Sequence, residues 1–447
     1  MNSQRYLTAF VSLLLVVTFH SGRTQGLYFP PFSQSAQWDT VSPASMGWCV
    51  EKIAPLYDFL QQENTKGFLV LKDGKIALEK YFGTFDKDSL WYWASAGKTV
   101  ISFLVGRAQE DGYLFVSDTS SKYLGPGWTS CTPSQEEKIT IRNQLTMTSG
   151  LDDGVPDNHC TIDTCLQYLA DPGTRWAYHN APYTMLEKVL ANATGQSVNL
   201  LTQINLRNKT GLTGLWVKVD YDNLFFSSVR SMARFGLLIQ NRCVWNSDTL
   251  IKDTSYVNQM LSTSQAFNNS YGYLWWLNGK SSYMLPTVQI IFPGFIAPNA
   301  PADMVSGLGK NGQIVSVSKS KGIVVVRMGN QPNSPGSEIA NQLCDQIWQK
   351  LNEVICNSNA VQEIDPGPDR LRIYPNPAQQ SFTVDLQQNS FSLVVTDLAG
   401  RIMTEKSSVS GKIEIDSRNF SQGIYFVRAV TNKQSVFGQK FVIVKTP

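Results

Sequence analysis

Ser95 and Lys98 sit three positions apart in the stretch "YWASAGKTVISFL". A hydroxyl and an amine at that spacing can act as nucleophile and base if the backbone puts both on one side. A helix does so, because residues i and i+3 share a face with Cβ atoms about 5–6 Å apart. A strand sends the same two side chains to opposite faces. That separates Ser95/Lys98 from Ser316/Lys319 and Ser318/Lys321, which repeat the S-x-x-K pattern inside an expected strand. Over residues 95–109, Val100, Ile101, Leu104, Val105 and Ala108 recur at helical spacing and Gly112 lies beyond the end, so Ser95 opens a helix. The helix N-terminus adds partial positive charge and N–H groups, which favour developing negative charge. Trp91, Tyr92, Trp93 and Ala94 surround the pair with apolar surface. A lysine desolvated by them has a lowered pKa and can serve as a base. The plain alternative is an N-capping serine beside a solvated lysine.

Two other chemistries fit parts of the same stretch and fail on the rest. Gly97-Lys98-Thr99 ends like a phosphate-binding loop, but the glycine needed five positions earlier is Tyr92. A strained nucleophile elbow needs glycine two before the serine, where Trp93 stands. It also needs a late histidine, and beyond the N-terminal segment only His159 and His179 remain. His179 is expected to be an exposed turn residue.

The elements that must carry this chemistry span several segments. Cys49 to Gln62 has helical apolar spacing, and "GFLVLKDGKIALEKYF" reads as a hairpin about Asp73-Gly74. Residues 139–260 read as mainly helical. "SYGYLWWL", "GQIVSVS" and "GIVVVRMGN" read as strands, and "SEIANQLCDQIWQKLNEVI" closes the region as an amphipathic helix. Strands at both ends of a helical middle imply one sheet assembled from distant segments. The polar, proline-bearing stretch 357–370 reads as a linker. From Leu371 onward short alternating strands separated by turn residues read as a small β-sandwich.

Composition narrows the function classes. The 447 residues carry a formal net charge of +3 with no basic stripe, so nucleic-acid binding has no support. Arg5, the apolar run Leu7 to Phe19 and the polar stretch to Gln25 have the layout of a secretory signal peptide, too short to span a bilayer comfortably. No later stretch qualifies as a transmembrane span. Seven cysteines in an exported chain make disulfides the default, and the odd count leaves at least one thiol free or paired between chains. His159, Cys160 and Cys165 are better read as a local disulfide or loop cysteines than as a metal cluster.

"SAGKTVISFLVGRAQEDGYL" resembles the nucleophile helix of the serine β-lactamase and penicillin-binding-protein-like hydrolases, specifically the class C β-lactamase-like branch. "LTMTSGLDDG" resembles the family's L-x-H-x-S-G-L segment with Met147 in place of histidine, and "YHN" at 178–180 matches its Y-x-N motif. "SVRSMARFGLLIQN" and "YGYLWWL" match its later helix and strand. The resemblance implies an α/β (α+β) two-lobe fold: an antiparallel sheet flanked by helices, plus an all-helical lobe. It implies Ser95 as the acylated nucleophile, Lys98 as its activating partner and Tyr178 as the second acid/base. Asn180 would hold the pair and bind substrate. The family's third motif, K-T-G, has a literal match at Lys209-Thr210-Gly211, which comes too early in the chain. Gly307-Leu308-Gly309 stands in the expected place before the last strands. The oxyanion hole would then use the N–H of Ser95 and one near Lys310. Losing the motif's lysine and threonine favours an ester or simple amide over β-lactam or D-Ala-D-Ala substrates. No metal or organic cofactor is required.

"IYPNPAQQSFTVDL", "VVTDLAGRIM" and "GIYFVRAVTNKQSVFGQKFVIVK" resemble the type IX secretion C-terminal sorting domain, an Ig-like β-sandwich. This implies the type IX machinery as a partner and a secreted or cell-surface location. The expected organisation is a signal peptide at 1–25, a hydrolase domain at 45–356, a linker at 357–370 and a sorting sandwich at 371–447. The function this implies is a secreted serine hydrolase acting on a small-molecule or peptide ester or amide. The alternatives are a β-lactamase or D-alanyl-D-alanine carboxypeptidase, and a non-catalytic peptidoglycan-binding protein on the same fold.

Overall fold

The computed structural model describes residues 26–33, 36–334, 336, 338–356, 371–398, 400–431 and 436–445. The segment read as a signal peptide and the linker 357–370 lie outside them. One antiparallel six-stranded sheet forms the first core. Its order is Lys75–Tyr81, Thr65–Lys72, Ile323–Gly329, Gln313–Ser318, Val305–Gly309, Trp276–Leu277. The expected hairpin about Asp73-Gly74 is there, with Asp73 at φ 49° and Gly74 at φ 86°, the left-handed pair a tight hairpin turn requires. Its first strand pairs with the last strand of the sheet in the register Val70↔Val325 and Phe68↔Arg327. The sheet thus joins residues more than two hundred apart in sequence.

Strands Gln313–Ser318 and Ile323–Gly329 are buried at every position, because helices cover both faces of the sheet. Helix Val229–Gln240 packs so closely on one face that a Cβ on Gly236 would lie 2.4 Å from Val324 Cγ1. Helix Asn341–Ile355 lies on the other, with the Trp348 indole N–H donating to Ser316 Oγ at 2.9 Å. Helix Ile53–Gln62 packs beside it. The Cys49–Cys356 disulfide ties the start of this region to its closing helix.

Between the sheet's distant halves lies a lobe with helices Ile141–Leu145, Asn180–Thr194 and Val198–Thr202. The reading of 139–260 as mainly helical omitted two strand pairs, the short Val244–Trp245 with Asp248–Thr249 and a longer one. Strands Gly214–Val219 and Asp222–Ser227 form a hairpin that pairs with Trp91–Tyr92. The stretch "SYGYLWWL" also departs from expectation: only Trp276–Leu277 is strand. Tyr271, Tyr273, Trp275 and Trp276 are all buried, and Leu274 has φ 61°. Their apolar density fills the core mainly through side-chain packing, and only Trp276 joins the ladder, opposite Ser306.

The C-terminal region has its own core, including Phe382, Leu393, Val395, Val427 and Phe441. Strands Ser381–Asp397, Ile402–Asp416, Gly423–Thr431, Val436–Ile443 and Arg372–Tyr374 pair antiparallel. The expectation of short strands gives way at "SFTVDL" and "SLVVTD", which belong to one long strand with a register break between Leu386 and Phe391. Among the described residues, no helix is long and apolar enough to cross a membrane.

Candidate active site

The backbone entering Ser95 is fixed from both sides. Trp93 N donates to Phe225 O at 2.8 Å and its indole N–H to Ser227 Oγ at 2.7 Å. Ala94 then turns through φ 46°, a left-handed conformation that is costly for a residue with a Cβ. Residues Ala94–Gly97 form a single 3₁₀ turn and the α-helix begins only at Lys98, running to Glu110. In a 3₁₀ turn residues i and i+3 eclipse, so the tighter turn still aligns Ser95 with Lys98.

Strand Val305–Gly309 lies directly against this turn. A Cβ on Gly309 would fall 2.5 Å from Trp93 O and 3.0 Å from Ala96 N, and one on Gly307 would fall 3.0 Å from Thr99 Cγ2. Glycine at both positions is what lets the strand edge approach the backbone of the turn that carries Ser95. The following turn is held by buried Arg327, whose Nη1 donates to Asn311 O at 2.6 Å and Gly312 O at 2.9 Å. Asn311 Nδ2 in turn donates to the Tyr92 hydroxyl at 2.7 Å. The literal K-T-G behaves differently: Lys209 pairs with Asp248 at 3.1 Å and Thr210 is buried. Neither lines the cavity described next.

Ser95, Lys98, Tyr178, Asn180 and Lys310 line one cavity of about 580 Å³. Tyr178 precedes helix Asn180–Thr194, and the chain reaching it is pinned where Ala177 N donates to Met147 O at 2.9 Å. The Tyr178 ring stacks on Trp276 at 5.9 Å and meets Tyr271 edge-on at 6.3 Å. Lys98 Nζ donates to Asn180 Oδ1 at 2.9 Å. It lies 3.9 Å from the centroid of Tyr183 and 5.5 Å from that of Tyr178. These tyrosines, not the tryptophans flanking Ser95, form the aromatic wall around the amine. Trp91 faces away, with Lys66 Nζ 4.5 Å from its ring, and Trp93 is buried beneath the turn.

The electrostatics follow from burial. Desolvation pushes the Lys98 ammonium down to about 8, against the pull of Asp222 and Glu187. Desolvation raises the Tyr178 phenol well above its ordinary value, with a side-chain hydrogen bond to Ser95 opposing the rise. Glu187, on the same helix as Asn180, is pushed up to about 7 by burial, against a hydrogen bond from Asn223. At neutral pH the Lys98 amine is therefore mostly protonated with a minor unprotonated fraction, while the Tyr178 phenol keeps its proton.

Sequence reasoning missed part of the lining. Asp157, Asn158, His159, Asp220, Asp222, Asn223 and Glu338 all border the cavity. His159 is carried by a loop in which Cys160 and Cys165 are disulfide-bonded, so neither sulfur is left to a metal. His179, expected at an exposed turn, is buried, and desolvation pushes its imidazole down to about 4. It occupies the N-cap position of helix Asn180–Thr194 inside the core, without a side-chain hydrogen bond to the helix. The remaining described cysteines, Cys131, Cys243 and Cys344, are unpaired thiols.

Residues 60–343, more than half of the chain, match the family profile described as Beta-lactamase. The chain belongs to the beta-lactamase family. Residues 372–445 match the secretion system C-terminal sorting domain, which marks this beta-lactamase-family protein for export. It is 28% identical to protein flp of Staphylococcus aureus over 149 residues, 29% of this chain and 30% of that protein. It is also 28% identical over 138 residues to the uncharacterized protein BpOF4_21049 of Alkalihalophilus pseudofirmus, 29% of this chain and 37% of that protein. The match thus spans about a third of the length of these relatives. The fold is similar to that of the Bacillus anthracis protein described as "Putative 6-aminohexanoate-dimer hydrolase". The TM-score is 0.54 at 16% identity, covering 73% of this chain and 89% of that one. A penicillin-binding protein homolog from Caulobacter crescentus gives a TM-score of 0.50 at 12% identity, over 64% of this chain and 93% of that one.

Proposed function

We propose that this beta-lactamase-family protein is an exported serine hydrolase that cleaves an ester or amide through an acyl-enzyme on Ser95. The observation carrying this reading is the convergence of a serine hydroxyl, a desolvated lysine amine and a protonated phenol on one cavity. Neutral Lys98 takes the Ser95 proton as Oγ attacks the substrate carbonyl. The oxyanion forms at the helix N-terminus, between the Ser95 N–H and the edge of strand Val305–Gly309 near Lys310. Tyr178 gives its proton to the leaving oxygen or nitrogen and regains one from Lys98. Deacylation runs the relay backwards: water gives its proton to the Tyr178/Lys98 pair, and Ser95 Oγ leaves with one. Asn180 holds Lys98 throughout. Export begins with the signal peptide read at 1–25 and continues with the sorting sandwich engaging the type IX machinery.

The cavity lining bears on substrate class. Asp157, Asp220, Asp222 and Glu338 face it, against the cations Lys98 and Lys310. That balance disfavours the carboxylate that β-lactams and D-Ala-D-Ala peptides present, and supports a neutral or amine-bearing ester or linear amide. A panel of p-nitrophenyl esters, short linear amides, nitrocefin and D-alanyl-D-alanine peptides tests this. Ester or linear-amide turnover is expected to exceed that of the other two by at least about tenfold in kcat/KM, a transition-state difference of about 1.4 kcal/mol. Faster nitrocefin turnover would move the assignment to a β-lactamase. Saturable muropeptide binding without any hydrolysis would move it to a binding protein.

A second prediction follows from Lys98. Only the unprotonated amine can accept the serine proton, so the protonated form below pH 8 is inactive. The logarithm of kcat/KM should rise with unit slope and level off above about 8. Tyr178, raised by burial, stays protonated over this range and adds no second limb. A profile flat through neutral pH would remove Lys98 from the role of base.

A further inference from the structure

The groups behind Asn180 have chemistry of their own. His159 Nδ1 lies 2.9 Å from Asp222 Oδ1 and 2.8 Å from Oδ2. A carboxylate only accepts hydrogen bonds, so Nδ1 carries a proton, and in the neutral ring Nε2 is then an acceptor. Asn180 Nδ2 lies 3.1 Å from that Nε2 and 3.2 Å from Asn158 Oδ1, a second acceptor. With its amino end held by two acceptors, the amide presents its carbonyl to Lys98 Nζ at 2.9 Å. The flipped amide would set a donor against the lysine and an oxygen against two lone pairs.

The support is rigid on both sides. Ala181 N donates to Asn158 O at 2.9 Å and His159 N to Asp157 Oδ1 at 3.0 Å, and the Cys160–Cys165 disulfide follows at once. Asp222 opens strand Asp222–Ser227, which pairs with the strand leading into Ser95. Burial alone would raise the Asp222 carboxyl; the hydrogen bond from His159 Nδ1, with the nearby cations Lys98 and Lys218, outweighs it and holds the carboxyl below its ordinary value.

We propose that His159 and Asp222 are positioning residues: through the His159 tautomer they lock the Asn180 amide so that its carbonyl, not its amino group, holds the Lys98 amine. The inference rests on the proposed role of Lys98, and its first test needs no turnover. In the full chain with ¹⁵N-labelled histidine, at a pH where the ring is neutral, His159 should show a protonated Nδ1 and a bare Nε2. Its resonances are identified by their loss in His159→Gln. A proton on Nε2 would overturn the proposal whatever the activity of the protein.

The second test is kinetic. His159→Ala should lower kcat for the best ester about 10–100-fold, by analogy with the loss when a hydrogen-bond partner that orients a metal-ligating side chain is removed. KM and the thermal midpoint should stay near those of the parent. Asp222→Ala should lose about as much, and the double variant no more than the worse single one, because the two act as a unit. Asp222→Asn keeps an acceptor and should lose less than Asp222→Ala. An unchanged kcat in His159→Ala, or losses that add in the double variant, would overturn the tether. A chain whose Ser95 never acylates would instead sink the hydrolase reading and leave the tautomer result standing.

Discussion

Ser95→Ala is expected to lower kcat/KM on the best substrate by about four to six orders of magnitude, the scale on which removal of a covalent nucleophile acts. The loss should fall on kcat, since cavity shape and the donors around the carbonyl remain. Ser95 is only partly buried and loses one oxygen, so the substitution opens no void and the thermal midpoint should hold. Steady-state kinetics alongside a melting curve separate the two effects. A residual rate within tenfold of the parent would mean another group, or water activated directly, performs the attack.

Lys98→Met carries the second large effect. Methionine keeps an unbranched apolar stem against the Tyr183 ring, where Lys98 now lies, and removes only the amine. General-base catalysis supplies on the order of 10²–10⁴-fold, and a loss of that size in kcat is expected. The pH limb near 8 should vanish with it, because the group that titrates there is gone. Stability should respond the other way. Burial disfavours the Lys98 charge in the folded protein, so an uncharged side chain should leave the thermal midpoint equal or higher at neutral pH. An active variant with the limb intact would assign the base elsewhere.

Much of this site is legible in sequence because local periodicity places it. Ser95 and Lys98 are close in the chain, and the apolar stripe from Val100 to Ala108 fixes the helix they open. Gly307 and Gly309 are legible only through motif order, and their reason, a strand edge pressed on the turn that carries Ser95, lies in the three-dimensional packing. The hairpin Gly214–Val219/Asp222–Ser227 is hidden because Leu215, Val217 and Val219 face outward, which scrambles the expected apolar-in pattern. Its turn, Asp220-Tyr221-Asp222-Asn223 between apolar runs, was the available signal. Missing the hairpin also hid Asp222, and with it the partner of His159. The histidines exchange roles for the same reason: nothing local tells that His179 faces the core while His159, beside a disulfide, faces the cavity. The aromatic run Tyr271–Trp276 misleads in the opposite direction, since density of large side chains marks packing around Tyr178 as readily as a strand.

The most direct measurement is intact and peptide-resolved mass spectrometry after exposure to a fluorophosphonate. One adduct, displacing one fluoride, is expected on the peptide carrying Ser95, formed faster above pH 8 than below it and absent in Ser95→Ala. An unmodified Ser95 in a folded chain, or an adduct that persists at another residue when Ser95 is alanine, would contradict the acyl-enzyme account.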